Sequence, residues 1–282
     1  MNPYRADLHC HSTCSDGSLS PIEIIQLAKK IGLSALSITD HDTIEAYKSA
    51  FPAAKEAGIA LLPGVEFSAM LNNVSVHVLG YGFAIDEPII QTFCNQHFER
   101  RHQRNREILK LLDKHGMPIS EEELIEACPF NLEQPFKHST GRPHIALAMI
   151  KKGYINNIYD AFARYLAEGK SCYAQGAPFS VEETIDIIHR SKGIAIIAHP
   201  HLQKSNRVIK KLLEMNFDGM ESYYGNFPLQ RHQKWLQIAL NKNWLITGGS
   251  DFHGTIKPHI PLGCSWIDEE KYQAVLNKLQ SI

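Results

Sequence analysis

Histidines and carboxylates stand at the ends of short apolar runs throughout this chain, and the densest group opens it, Asp7 to Gly17, DLHCHSTCSDG. In an extended segment side chains alternate faces, so His9 and His11 point one way, Cys10 points the other, and Asp16 follows one Ser-Asp-Gly turn later. That is a metal-ligand arrangement, although two histidines spaced two apart also arise by chance. Further on stand His41 between Asp40 and Asp42, Glu66 closing IALLPGVEF, His77 inside VSVHVLGYGF, His199 after IAIIA, and Asp251 with His253 in WLITGGSDFHG. Each alone has an ordinary explanation as a strand cap or an ion-pair partner. Their recurrence at successive strand ends does not.

These groups are too many for one ion, since structural zinc takes four ligands and catalytic zinc three plus a water. Two or three divalent ions sharing a carboxylate would use them. Clustered cations suit phosphoester hydrolysis, in which the attacking and leaving oxygens both carry charge. No GxSxG or other nucleophile elbow accompanies the cluster, so the expected attacker is a hydroxide held by the ions.

The elements that must position these residues alternate. Ser20-Pro21-Ile22-Glu23 reads as a helix start, and IIQLAKKIG runs at helical period to a stop at Gly32. The strand LSALSIT, a helix from Ala46 to Ala57, and the strands ending in Glu66 and carrying His77 follow. Residues 88–176 break the rhythm with a series of helical segments. Alternation then resumes through SVEETIDIIHRSKG, IAIIAHPH, a helix to Met215, DGMESYY, RHQKWLQIALNKN and WLITGGSDFHG, with CSWI as a candidate last strand. Seven alternations favour a parallel sheet closed into a barrel, with function at the C-terminal strand ends. The expected fold class is thus α/β, a barrel domain of residues 1–87 and 177–282 with an all-helical insert, 88–176, over the site.

Composition excludes several alternatives. With 29 basic and 30 acidic residues the net charge is -1, so any polyanion must be bound locally. No stretch resembles a signal peptide or a membrane span, and the six cysteines form no CxxC pair, so a cytoplasmic chain with reduced thiols is expected. Cys10 and Cys14 sit among the ligands, but the surrounding donors favour nitrogen and oxygen coordination.

In this order, DLHCHSTCSDG, ITDHDT, PGVEFS, HVLGY, IAHP and GSDFHG resemble the motif series of the PHP (polymerase and histidinol phosphatase) family, over residues 5–85 and 178–268. The family is related to the amidohydrolases. Within it the chain is most similar to the stand-alone bacterial enzymes of the RNase AM type, which act on nucleoside 3',5'-bisphosphates and short 5'-phosphorylated RNA. FERRHQRN, GRPH and YLAEGK with Tyr173 resemble that subgroup's helical lid. The resemblance implies a distorted (β/α)7 barrel and two or three divalent ions, manganese first, with zinc and iron as alternatives. It implies a first ion on His9, His11, Glu66 and Asp251. A second would share Glu66 and add His77 and His199, and a third would take Asp16, His41 and His253. Asp16 stands where some members have histidine, which leaves the third site's metal preference open. Asp40 and Asp42 read either as groups orienting a ligand imidazole or as turn residues.

Substrate choice then falls to the insert. Arg142 and His144 begin a helix after Ser139-Thr140-Gly141, where a phosphate is favoured, and Lys170 follows a helix stop at Gly169. Arg100, Arg101, Arg104 and Arg106 lie on one long helix, either as a solvated face or, for Arg104, as a substrate contact. The expected reaction grips the 5'-phosphate with Arg142, His144 and Lys170 and sets the 3'-phosphoester on the metals. Glu66, His199 and Asp251 are the catalytic candidates, with Asp251 taking or relaying the attacker's proton. The rivals are a histidinol-phosphate or other small monoester phosphatase, a non-catalytic RNA-binding protein, and an amidohydrolase of C–N bonds. No membrane or protein partner is expected. His102, His115, His138, His189, His201, His232 and His259 read as surface or structural, with His201 the nearest to the site.

Overall fold

The computed structural model describes residues 3–128, 139–177 and 179–282. Eight strands alternate with helices in a mixed α/β arrangement. The first sheet is parallel, with β1 (Ala6–Cys10) beside β2 (Ala35–Ile38) and β2 beside β3 (Ala60–Leu61). The second runs in the order β4 (Gly64–Leu71), β5 (Val74–Tyr81), β6 (Ile194–Ile197), β7 (Gly219–Tyr224) and β8 (Leu245–Gly249). The expectation of an all-parallel sheet fails at β5, which is antiparallel to both β4 and β6. Asn72 and Asn73, at φ 52° and 63°, join β4 to β5, and a two-residue turn of that hand makes a hairpin. CSWI contributes a single bridge, Ile267 to Ala6, in place of a last strand.

The two sheets meet along both edges. At one, the Asp251 N–H donates to His9 O at 2.7 Å and the His11 N–H to Phe252 O at 2.9 Å. Glycine is required there, because a Cβ on Gly249 would lie 2.3 Å from His9 Cβ. At the other edge the Glu66 N–H donates to Thr39 O at 3.1 Å, and the Asp42 N–H to Glu66 O at 3.1 Å. Every strand end named in the sequence is thereby drawn to one place.

Helices cover the sheets, each starting from a local signal. In α1 (Pro21–Lys30) Ser20 and Glu23 form a reciprocal capping box, and Ile24, Ile25 and Ala28 are buried. Helices α2 (Tyr47–Ala57), α8 (Asn206–Leu212), α9 (Leu229–Asn241) and α10 (Glu269–Gln280) follow strands, and α7 (Val181–Arg190) leads into β6. The helical stretch holds α3 (Pro88–Lys114), α4 (Glu121–Glu126), α5 (Arg142–Lys151) and α6 (Ile158–Ala161), the last continuing into a π-helical turn, Phe162–Leu166. Its apolar cluster, including Ile108, Leu112, Ile145, Met149 and Leu166, is separate from the one around Phe67 and Phe93. Helix α3 joins them, contributing Ile90 and Phe93 to one and Ile108 and Leu112 to the other. Among the described residues no helix is long and apolar enough to cross a membrane.

Tyr47 pins the second edge. Its buried hydroxyl accepts from the Gly64 N–H at 2.7 Å and lies 2.7 Å from Ile38 O, so one oxygen ties β2 to the start of β4. Tyr47→Phe strands these buried groups, which costs about 1–3 kcal/mol and should lower Tm by roughly 3–10 °C in a thermal melt. An unchanged Tm would show that the hydroxyl does not hold the joint.

Candidate metal centre

Glu66 lies at the middle of the converging strand ends and is 1% exposed. Its Oε1 is 2.7 Å from both His77 Nδ1 and His199 Nε2. Its Oε2 is 3.3 Å from His9 Nε2, 3.1 Å from His11 Nε2 and 3.2 Å from His41 Nδ1. Burial alone would push this carboxyl up, but His77, His41 and His9 hold it well below the usual carboxylate range. Asp251 Oδ1 lies opposite, 3.5 Å from His9 Nε2 and 3.3 Å from His11 Nε2. A second group adjoins, with Asp16 Oδ1 3.4 Å from His253 Nε2 and Asp16 Oδ2 3.8 Å from His41 Nε2.

The hydrogen bonds on the far side of the rings say what these nitrogens present. His9 Nδ1 donates to Glu221 Oε1 at 2.8 Å, and His253 Nδ1 donates to Asp251 O at 2.8 Å. Each ring therefore turns a lone pair toward a carboxylate. His9 Nε2, His11 Nε2 and His41 Nδ1 are buried without a hydrogen-bond partner. Acceptor facing acceptor at 3.1–3.5 Å calls for positive charge between them, which a ring proton or a metal ion supplies. Three donor sets fit divalent ions: His9, His11, Glu66 and Asp251; His11, Asp16, His41 and His253; and His41, Glu66 and His77. His199 belongs to none of them, although its Nε2 touches Glu66 and lies 3.2 Å from His77 Nδ1.

Several positioning groups carried no signal strong enough to single them out. Glu221 receives the His199 N–H at 2.7 Å as well as His9, and only its charge inside the strand DGMESYY sets it apart. Tyr224 Oη and Lys257 Nζ both donate to Asp251 Oδ2 at 2.7 Å. Two donors on that oxygen leave Oδ1 facing His9 and His11. Asp40 and Asp42 orient no ligand imidazole. Asp40 takes Ser12 N–H at 2.7 Å and the Ser12 hydroxyl at 2.5 Å, fixing the turn that carries Asp16. Asp42 takes Arg101 Nε at 2.5 Å and the Ser68 N–H at 2.7 Å, and faces the buried His97 at 3.2 Å.

Beside this centre opens a cavity of about 400 Å³ whose wall includes Asp16, His41, His77, His253 and Lys257. Arg100, Arg101, Arg104 and Arg142 line the same cavity. The reading of a solvated arginine face therefore holds for Arg106 alone, which is exposed, while the other three on α3 are buried. Among the described residues Asp42, paired with Arg101, is their one carboxylate partner, and Arg100 Nε and Arg104 Nε are buried without an acceptor there. Burial, then Arg101, Arg142 and Arg100, lower the Arg104 pKa well below its ordinary value. Arg142 lies 5.9 Å from the Phe162 ring and 5.4 Å from that of Tyr173. His144 and Lys170 do not line the cavity. His144 is buried and its Nδ1 accepts from the Gly141 N–H at 2.9 Å, as a helix cap, whereas Lys170 is exposed. His201 pairs with His232 at 3.2 Å outside the centre, and His138 falls outside the described residues.

Residues 7–222 match the family model of the PHP domain. The chain belongs to the PHP family. This PHP chain is 33% identical over 272 residues to a 5'-3' exoribonuclease of Haemophilus influenzae, covering 94% of this chain and 92% of that one. It is 30% identical over 252 residues to a 3',5'-nucleoside bisphosphate phosphatase of Chromobacterium violaceum, covering 88% and 86%. Its fold matches a structure from Bifidobacterium adolescentis, described as a metal-dependent phosphoesterase, with a TM-score of 0.87, 29% identity and 98% of each chain covered.

Glu221 sets the tautomer of His9 and the backbone of His199. Glu221→Ala should weaken divalent-metal affinity about 10- to 100-fold in a chelator-competition titration, with the circular dichroism retained. Unchanged affinity would remove Glu221 from the centre.

Proposed function

We propose that this PHP protein hydrolyses the 3'-phosphate of nucleoside 3',5'-bisphosphates, and releases 5'-mononucleotides from short 5'-phosphorylated RNA. The observation that carries the reading is that four arginines line one cavity together with carboxylate and imidazole groups of the centre. A phosphomonoester such as histidinol phosphate offers one phosphate to the metal centre and nothing for four guanidinium groups. A nucleoside bisphosphate offers a second. The named activities of the exoribonuclease and bisphosphatase relatives fit the same substrate pattern.

The ligand assignment follows from the chemistry of the donors. His9, His11, Glu66 and Asp251 hold a first ion, Glu66 with His77 and His199 a second, and Asp16, His41 and His253 a third, with manganese the expected metal. Bound there, divalent ions supply Lewis acidity to the phosphoryl oxygens and bring the pKa of water toward neutrality. Arg100, Arg101, Arg104 and Arg142 grip the 5'-phosphate, and Phe162 and Tyr173 flank the nucleoside. Lys257 and Tyr224 hold Asp251 ionised and oriented. In the bisphosphate the P–O3' bond breaks, giving 5'-nucleotide and phosphate. In RNA the same bond breaks after the first nucleotide, and the new 5'-phosphate stays on the shortened chain.

The edge contacts of the two sheets support reading them as parts of one distorted (β/α)7 barrel, formed by residues 1–87 and 177–282. The separate apolar cluster of the helical stretch supports residues 88–176 as an inserted lid. Six free cysteines suit a cytoplasmic setting.

The test is phosphate release by manganese-loaded protein from adenosine 3',5'-bisphosphate, beside 3'-AMP, 5'-AMP, histidinol phosphate and an aryl phosphate. The bisphosphate should win, with 5'-AMP as product. Arg104→Ala and Arg142→Ala should each cut kcat/KM on the bisphosphate by about 10- to 100-fold, while leaving the aryl phosphate within a few-fold. Equal losses on both substrates would remove the anchoring role, and preference for histidinol phosphate would replace the substrate.

A further inference from the structure

The arginine cavity is not the metal centre's only opening. A second groove of about 200 Å³ shares Ser75, His77 and Arg142 with it and reaches His199. Ile197, Ala198 and Leu212 line this groove, with Leu202 and Gln203 beside them. Leu202, at the groove, is 48% exposed and so accessible to a ligand there, as Tyr159, 80% exposed, is at the first cavity. Gln203 Oε1 accepts the Ser205 N–H at 3.0 Å, which leaves its amide nitrogen as a donor.

The chain running on from the groove is basic. Residues 203–214 hold Lys204, Arg207, Lys210 and Lys211 against the single acid Glu214, in a protein of net charge -1. Lys204, Arg207 and Lys210 are exposed and take part in no ion pair among the described residues. An apolar groove at the metal centre followed by unpaired cations is suited to a nucleobase followed by phosphates. A bisphosphate nucleotide has no group to occupy either.

We propose that this groove and the basic segment beyond it form the track for single-stranded RNA on the 3' side of the scissile phosphate. The inference rests on the function proposed above. The base of the second nucleotide packs on Leu202 over the apolar floor, and the following phosphates run along Lys204, Arg207 and Lys210. Hydrolysis adds water across the P–O3' bond, with the hydroxyl going to phosphorus and the proton to the 3'-oxygen of the first nucleotide. The phosphate stays on the tracked RNA. Arg142, which lines both openings, is then the residue the new 5'-phosphate meets as it moves toward the arginine wall.

The experiment compares kcat/KM on a 5'-phosphorylated RNA pentamer and on adenosine 3',5'-bisphosphate across a salt series. It uses manganese-loaded wild type, Leu202→Asp, and the double variant Lys204→Glu/Arg207→Glu, all at exposed positions. The double variant should lose on the order of tenfold or more on the pentamer, with its log–log salt slope flattened by about 1.4, and stay within about twofold on the bisphosphate. Leu202→Asp should also lower the pentamer selectively. Equal loss on both substrates, or none on the pentamer, would overturn the track. Wild type active on the bisphosphate but not the pentamer would overturn the track and leave the bisphosphatase reading standing. Inactivity of wild type on both would overturn that reading and the track with it.

Discussion

A single buried carboxylate within 3.3 Å of five imidazoles is the constraint on which the rest of this structure depends. Burying one uncompensated ion costs several kcal/mol, and only positive charge beside it can offset that cost. Protonated imidazoles can supply such charge, and divalent ions held by the same donors would supply more of it. The fold must hold these groups together against the cost of burying them.

The surrounding elements do this by fixing backbone rather than by adding charge. His199 and Asp251 sit at φ 26° and 57°, conformations that a non-glycine residue adopts at a cost of about 1–3 kcal/mol each. Glu221 takes the His199 N–H, and the Asp251 N–H is bound to His9 O, so the strain is held by hydrogen bonds to opposite strands. Asp42 does the equivalent for the helical stretch, where one buried carboxylate next to Glu66's strand turns Arg101 toward the cavity. The candidate metal centre and the arginine group thus share one strand, β4, through Glu66 and Ser68.

The convergence of His9, His41, Glu66, His77 and Asp251 was legible because strand ends in a repeating α/β pattern have a common destination. The β4–β5 hairpin was less visible, since Asn72-Asn73 is a weaker turn signal than Asn-Gly. Burial of Arg100 and Arg101 was not legible, because helical periodicity gives a shared face while the element that covers it lies far away in the chain, whereas Arg104 was already a candidate substrate contact. His144 looked like a phosphate ligand at a helix start and is instead that helix's cap. Lys257 and Tyr224 reach Asp251 through tertiary packing alone, for which spacing carries no signal. The family resemblance supplied the grouping into ions, and His199, 2.7 Å from Glu66 and 3.2 Å from His77, lies beside the group it was assigned to.

The direct measurement is the number of divalent ions per chain, by inductively coupled plasma mass spectrometry on protein purified with manganese, for wild type and Glu66→Ala. A shared carboxylate predicts two or three ions in wild type and no more than one in the variant, the survivor being that of Asp16, His41 and His253. One ion in wild type, or a count unmoved by Glu66→Ala, would contradict a centre built on Glu66.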